Sequence, residues 1–336
     1  VIKLKKIGLF KDYTDGSLKS VYEGNGKNIV EMTLLFNRDF KDVVCAPTHH
    51  FCNLGCKMCH LTNEKVKRPM LKIKVRDFVE CLVDTLILEG KRITDKKNLL
   101  ISFMGVGEPL LNLELIEGVY EYEEYLKLVL GYESVGYAIS TMMPNNNILE
   151  LTRLVQKKNI PLKVHFSLHT PIDTLRFNLL PGTRVNINEA LEYLKSYGNL
   201  LRDNRNIMEE YIKLHRTSDP VEIHYTLIEG VNDGEEELSR LCELLNTYKI
   251  TIKFIRFNPI NGMKPSSKEK MWVDTISSIV PDVRVKVYSP PGREIGSSCG
   301  EFTKHYYHSD METEEEKLEF ERWEQKHRVD VKRLIK

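Results

Sequence analysis

Val43-Val44-Cys45-Ala46, followed six residues later by Cys52-Asn53-Leu54-Gly55-Cys56-Lys57-Met58-Cys59, joins a short apolar strand to a loop with cysteines spaced C-x3-C-x2-C. That spacing lets one loop wrap three corners of a cube. A [4Fe–4S] cluster takes thiolate ligands on its irons, and three cysteines leave one iron open for a small molecule. The rival is a zinc site completed by His60, His49 or His50. Zinc sites usually pair ligands as C-x2-C or H-x3-H across a distance, so an asymmetric triple on one loop suits zinc less well.

Outward from the loop, the chain holds seven cysteines in 336 residues, at 45, 52, 56, 59, 81, 242 and 299. An odd number with one tight cluster makes a poor disulfide framework. In a reducing compartment it reads as metal-binding or catalytic. Cys81 and Cys242 sit in apolar helical patterns, as small core residues do. The 49 basic and 48 acidic residues leave a net charge of +1, so any grip on a polyanion depends on local patches. Lys65, Lys67 and Arg68, with Lys326, Arg328, Lys332 and Arg333, are candidates. No apolar run reaches the length of a membrane span and no signal peptide is visible, so a cytoplasmic protein without a membrane partner is expected.

Short β-rich runs alternate with helical patterns. The strands are expected at 43–46, 99–103, 136–140, 163–168, 222–227 and 251–257. Helical spacing is expected at 75–89, 113–128, 147–157, 188–201 and 235–246. This alternation argues for parallel βα units, and six are fewer than a closed barrel needs. The expected fold is α/β, a partial (βα)6 TIM-like barrel over residues 41–303. A small β-rich appendage is expected over 1–40, where Asp15-Gly16 marks a turn and 28–35 a strand. A charged helical extension is expected over 304–336. Residues 203–219 read as a polar connection with a helical centre.

Polar groups recur at the ends of successive strands. Phe103-Met-Gly-Val-Gly-Glu-Pro109 ends the second, with glycines that permit close backbone approach and a carboxylate at Glu108. Ser140-Thr141 ends the third, Ser167-Leu168-His169 the fourth, and Asn258-Pro259 follows the sixth. Strand ends on one rim are where barrel active sites lie. Each motif alone has a plain alternative, such as a tight turn around Glu108 or a core role for His169.

The cysteine loop after the first strand resembles that of the radical S-adenosylmethionine superfamily, with Met58 where that family usually carries an aromatic residue. Met104-Gly-Val-Gly-Glu-Pro-Leu-Leu-Asn112, Phe166-Ser-Leu-His-Thr-Pro171, Gly230-Val-Asn-Asp233, Phe257-Asn-Pro-Ile-Asn-Gly262 and Cys299-Gly300 stand in the order seen in the RlmN/Cfr family. Those enzymes methylate a carbon of an adenine ring in RNA. The resemblance covers about residues 12–303. It implies a [4Fe–4S] cluster on Cys52, Cys56 and Cys59, and two equivalents of S-adenosylmethionine per turnover. It places the methionyl end of that cofactor at Gly107 and Glu108, its ribose near Ser140, and the rest against Ser167, Leu168, His169 and Asn258.

By the same resemblance Cys299 carries a methyl group, Cys45 resolves the covalent intermediate through a transient disulfide, and Glu31 removes the ring proton. An adenine C–H carbon is not nucleophilic, so direct displacement on a sulfonium ion fails there, whereas a thiolate accepts a methyl group readily. The implied partners are rRNA or tRNA and an electron donor such as flavodoxin or ferredoxin, for an enzyme expected to be a monomer. C2 is expected ahead of C8. Three departures bear on substrate rather than on reaction type: the linker Ala46-Pro-Thr-His-His-Phe51, the run Met142-Met143-Pro144, and a start about where the family's N-terminal helical domain would end. The alternative is a radical enzyme of another type: a maturase, an activase, or a methylase of a protein or small molecule.

Overall fold

The computed structural model describes residues 4–36, 40–62, 68–88, 90–260, 262–295, 303, 306 and 313–329. Contacts divide the chain into two compact units. The first holds residues 1–53, 60–137 and 291–336, and the second 54–59 and 138–290.

In the first unit, β1 (Lys5–Lys11), β2 (Leu18–Glu23), β3 (Ile29–Leu35) and β4 (Lys41–Cys45) form an antiparallel meander, and β5 (Asn98–Phe103) pairs parallel to β4. The register runs Lys19 opposite Thr33 and Thr33 opposite Cys45, and then Cys45 beside Ser102. Helix α1 (Val75–Leu86) covers the sheet with Phe78, Val79, Leu82 and Leu86, an apolar face at helical spacing. The helix expected over 113–128 is two, α2 (Leu113–Glu121) and α3 (Glu123–Leu130). The break falls at Tyr122, whose ψ of 3° departs from the helix and whose N–H is shared among the carbonyls of Gly118, Val119 and Tyr120.

The division between the units falls inside β6 (Ser134–Thr141). In the second unit the strand order is β6, β7 (Leu162–Ser167), β8 (Val221–Tyr225), β9 (Thr251–Ile255), β10 (Val285–Tyr288), with β7 to β10 all parallel. Between the strands lie α4 (Ile148–Lys158), α5 (Asp173–Leu179), α6 (Ile187–Asp203), α7 (Arg205–His215), α8 (Glu235–Tyr248) and α9 (Glu269–Ile279). Asn186 and Asn204 cap α6 and α7 through their side chains. The expected strands and helices recur within a few residues. Strands β1, β2 and β10 and helices α5 and α9 come in addition.

Helix α10 (Glu314–His327) opens on a Thr313/Glu316 capping box and returns to the first unit. Its Trp323 ring lies tilted 5.1 Å from that of Phe10, in a core with Val21, Ile29 and Ile295, and donates to the Glu294 carbonyl at 2.6 Å. No helix among the described residues is long and apolar enough to cross a membrane.

Candidate active site

In the first unit, the chain leaving β4 packs against the glycine turn that follows β5. Ala46 N–H donates to the Ser102 carbonyl at 2.9 Å, Thr48 N–H to Val106 at 2.8 Å, and Gly105 N–H to Ala46 at 3.0 Å. A Cβ on Gly105 would lie 2.8 Å from the Ala46 carbonyl carbon. Gly107 has φ +111°, and a Cβ there would lie 2.5 Å from both His49 Nδ1 and Thr48 Oγ1. Glycine is therefore required for the backbone approach as well as for the dihedral. Glu108 is buried, and its Oε1 accepts from Leu110 N–H at 3.1 Å, capping the short helical turn of Pro109–Leu111. Asn112 ties this turn back to the Thr48 carbonyl at 2.9 Å.

The two histidines of the altered linker face local partners. His49 Nδ1 meets Thr48 Oγ1 at 2.9 Å and His50 Nδ1 meets the Ile29 carbonyl at 3.1 Å. Burial pushes the His49 imidazole down to about 4 and lowers His50 as well.

Glu31, Lys19 and Cys45 lie on one face of the β2–β3–β4 meander, since Lys19, Thr33 and Cys45 share a rung and Glu31 is two residues from Thr33. Glu31 Oε2 accepts from Lys19 Nζ at 2.9 Å, with side chains only 6% and 1% exposed. Glu31 Oε1 accepts from Thr303 N–H at 2.7 Å and from the Thr303 hydroxyl. Cys45 is half-buried; burial pushes its thiol up to about 12, with Lys19 pulling it down and Glu31 pushing it up. Cys299 lies outside the described residues, as do Lys65, Lys67, Lys332 and Arg333.

Cys52 belongs to the first unit, and Cys56 and Cys59 to the second; all three are half-buried. Between them Gly55 takes φ +75° with open space around it, so the left-handed turn itself is what calls for glycine there. In the second unit, Cys59 N–H donates to the Cys56 carbonyl at 3.0 Å and Lys57 N–H to Leu179 at 2.9 Å. Cys56 Sγ lies 3.6 Å from Met142 Sδ. Met58 packs against two apolar clusters, one around Met142, Leu179 and Leu180 and one around Ile228, Phe257 and Ile260. A flexible thioether fills that irregular gap where relatives of the resembled superfamily place a ring.

Of the rim residues, Ser140 and Ser167 meet hydroxyl to hydroxyl at 3.3 Å. The Leu168 side chain is fully buried, so only its backbone is available to a ligand, and its N–H already donates to His224 O at 3.1 Å. His169 sits at φ +58° and is 8% exposed. Its Nδ1 accepts from Thr226 N–H at 3.1 Å, and its carbonyl accepts from Asn232 Nδ2 at 2.5 Å. Burial pushes the His169 imidazole down to about 3, so it is neutral near pH 7. Asn258 is half-buried beyond β9.

Two features escaped the sequence reading. Arg176, fully buried on α5, donates to the carbonyls of Met142 (2.7 Å), Ser167 (3.1 Å) and Leu168 (3.3 Å), and to Thr183 Oγ1 (3.1 Å). It thereby ties together the ends of β6 and β7. Further along the sheet, Glu222 is ringed by Lys163 (3.1 Å), Lys286 (2.5 Å), Lys253, His165 (3.4 Å) and His224 (3.5 Å). Burial pushes its carboxyl up, but the two histidines and Lys253 hold it well below the usual carboxylate range. The signal was present in the alternation Lys163, His165, Ser167 and Glu222, His224, which gives these strands one polar face.

No family model matches the chain. It is 25% identical over 297 residues to a probable dual-specificity RNA methyltransferase RlmN of Thermotoga maritima, covering 85% of this chain and 76% of that protein. It is 26% identical over 309 residues to the dual-specificity RNA methyltransferase RlmN of a Marinomonas species, covering 88% and 75%. Among solved structures it matches a radical SAM methyltransferase from Sphaerobacter thermophilus with TM-score 0.68 and 22% identity, over 89% of this chain and 80% of that one. That likeness shows the fold: the α/β partial barrel expected from the alternating strands and helices.

Proposed function

We propose that this chain is a radical S-adenosylmethionine methyltransferase that adds a methyl group to an adenine ring carbon of RNA through a methylated cysteine. The observation that carries the reading is similarity to RlmN enzymes over some 85% of the chain, spanning the C-x3-C-x2-C loop. The donor set fits a [4Fe–4S] cluster. Three thiols sit on one loop turned by Gly55, and of the three histidines open to the zinc rival, His49 and His50 are bonded to Thr48 and Ile29.

Cys52, Cys56 and Cys59 would hold the cluster. Gly107 and Glu108 would meet the methionyl end of S-adenosylmethionine, and Ser140, Ser167, the Leu168 backbone, His169 and Asn258 the remainder. When bound, the cluster and S-adenosylmethionine supply the electron, the methyl group and the hydrogen-abstracting radical. The chain's own residues do the rest. Cys299 accepts the methyl group, Glu31 takes the ring proton, and Cys45 attacks the Cys299 sulfur to release the product. Neutral His169 cannot repel a cationic sulfonium. We further read RNA, either ribosomal or transfer, as the partner, a flavodoxin or ferredoxin as the electron donor, C2 as the favoured carbon, and a cytoplasmic monomer as the working form.

The test is anaerobic incubation of the reconstituted enzyme with unmodified total RNA, labelled S-adenosylmethionine and a reductant, followed by nucleoside mass spectrometry. Label in 2-methyladenosine is expected, and label in 8-methyladenosine would correct the position. Formation of 5′-deoxyadenosine with no label in any RNA would refute the RNA reading. Reconstitution should bring about four irons and four sulfides per chain, and bound zinc instead would refute the cluster.

A further inference from the structure

We propose that Lys19 is a positioning residue for the two-cysteine chemistry: its buried ammonium is a counter-ion shared by Glu31 and Cys45, so that neutralising Glu31 favours the thiolate of Cys45. This rests on the relay proposed above. The geometry is that of three neighbouring strands. Lys19, Thr33 and Cys45 occupy one rung of the β2–β3–β4 meander, and Glu31 lies on the same face. Directly opposed residues of an antiparallel pair lie about 5 Å apart at Cα, so Lys19 and Cys45 are about 10 Å apart at Cα, within reach of a lysine side chain. Lys19 itself is 0% exposed and Glu31 is 7% exposed.

A buried ammonium is stable only beside negative charge. In the resting enzyme Glu31 supplies it, through the contact to Lys19 at 2.9 Å, while Thr303 fixes the other carboxylate oxygen. A carboxylate that takes up a ring proton becomes neutral, and Lys19 then lacks that partner. Cys45, on the same face, is an acid able to replace it. Its thiol is hard to ionise in this buried place, with Lys19 and Glu31 acting on it in opposite senses. The proton taken by Glu31 therefore lowers the cost of forming the nucleophile needed next.

That step balances as follows. The Cys45 thiolate forms a bond to the Cys299 sulfur, and the bond between that sulfur and the substrate carbon breaks. The electron pair stays on carbon, which takes up the proton that Cys45 gave up and becomes a methyl group. The two sulfurs are left as a disulfide, which an external dithiol reduces before the next turnover. Timing follows from the shared cation: the thiol is held back while Glu31 is charged and released once it is not.

The experiment needs no RNA. In a C299A background, the reconstituted enzyme is alkylated anaerobically with iodoacetamide between about pH 7 and about pH 10, and the rate at Cys45 is read by peptide mass spectrometry. Glu31→Gln should raise the Cys45 rate about tenfold at a fixed pH below the thiol's own range, the effect of about one pKa unit. Lys19→Met should lower it, and Lys19→Arg, which keeps the charge, should stay nearer the parent. In the Lys19→Met background, Glu31→Gln should raise the rate by a clearly smaller factor than it does with Lys19 present, because coupled groups are non-additive. A Cys45 rate unmoved by Glu31→Gln, or raised equally with and without Lys19, overturns the proposal. Should Lys19→Met fail to fold, the Glu31→Gln and Lys19→Arg rates still decide it. RNA methylation by Glu31→Gln is measured separately. Full activity there would refute Glu31 as the base and leave the alkylation result standing.

Discussion

Replacing Arg176 by methionine should destabilise the second unit more than any surface change. The guanidinium is fully buried and feeds three backbone carbonyls, of Met142, Ser167 and Leu168, besides Thr183 Oγ1 and, more weakly, the Val185 carbonyl at 3.4 Å. Methionine fills much of the same volume and donates nothing. The Met142 carbonyl keeps the Thr183 hydroxyl at 2.9 Å, so the acceptors losing their Arg176 donor are Ser167, Leu168 and Val185. Each buried acceptor left without a donor costs about 1–3 kcal/mol. Removing a buried charge returns part of that, so a net loss of roughly 3–5 kcal/mol is expected. For a unit of this size that lowers Tm by about 10 °C. The assay is thermal unfolding followed by circular dichroism, beside Arg176→Lys, which keeps the charge but loses the fork and should fall between. Under the proposed function the same variant should also hold S-adenosylmethionine more weakly, because the Ser167 and Leu168 carbonyls lie at the end of β7. A fall of less than about 2 °C would refute the assignment of Arg176 as the tie between these strand ends.

Acidification below about pH 6.5 should destabilise the fold. His169, His49 and His224 are pushed down by burial to about 3, about 4 and about 4 from 6.5. The unfolded chain therefore binds more protons below 6.5, so their contribution is full above about pH 6.5 and is lost as the pH falls toward 4. Urea midpoints across that range should show the decline, and His169→Asn, which suits a left-handed backbone, should flatten it by about one proton; a flat profile in the parent would refute burial as the cause. Gly107→Ala should cost roughly 2–4 kcal/mol, from a Cβ 2.5 Å from His49 Nδ1 and Thr48 Oγ1 at φ +111°. An unchanged melting temperature would refute the close approach. Trp323→Ala should cost about 3 kcal/mol by unpacking the Phe10 core, and the same melting experiment shows it.

How much was legible follows from how local each signal is. The strand at Val43–Ala46 appears as Lys41–Cys45, and the one at Thr251–Phe257 as Thr251–Ile255, because β-branched runs report themselves without neighbours. The cysteine spacing, the glycines at 105 and 107 and the strand-end serines were readable for the same reason, and the surroundings of Gly105 and Gly107 match the need for tight backbone approach. Strand β10 was missed because Val285–Tyr288 has only four residues, although Val283, Val285 and Val287 alternate with Arg284 and Lys286. The break at Tyr122 was missed because no glycine or proline marks it, so the apolar period reads straight through.

The sequence by itself determined the kind of chemistry the chain presents: three cysteines on one loop, polar residues at strand ends, and alternating β and α segments. These depend on residue types a few positions apart. Only the tertiary structure decided which charges are paired. Lys19 looks like any solvated strand lysine until the register sets it across from Thr33 and Cys45, and Arg176 like any helix cation until the strand ends close around it. The partner of a buried charge lies far away along the chain, as Thr303 does from Glu31, and is set by strand pairing and packing that no local pattern encodes.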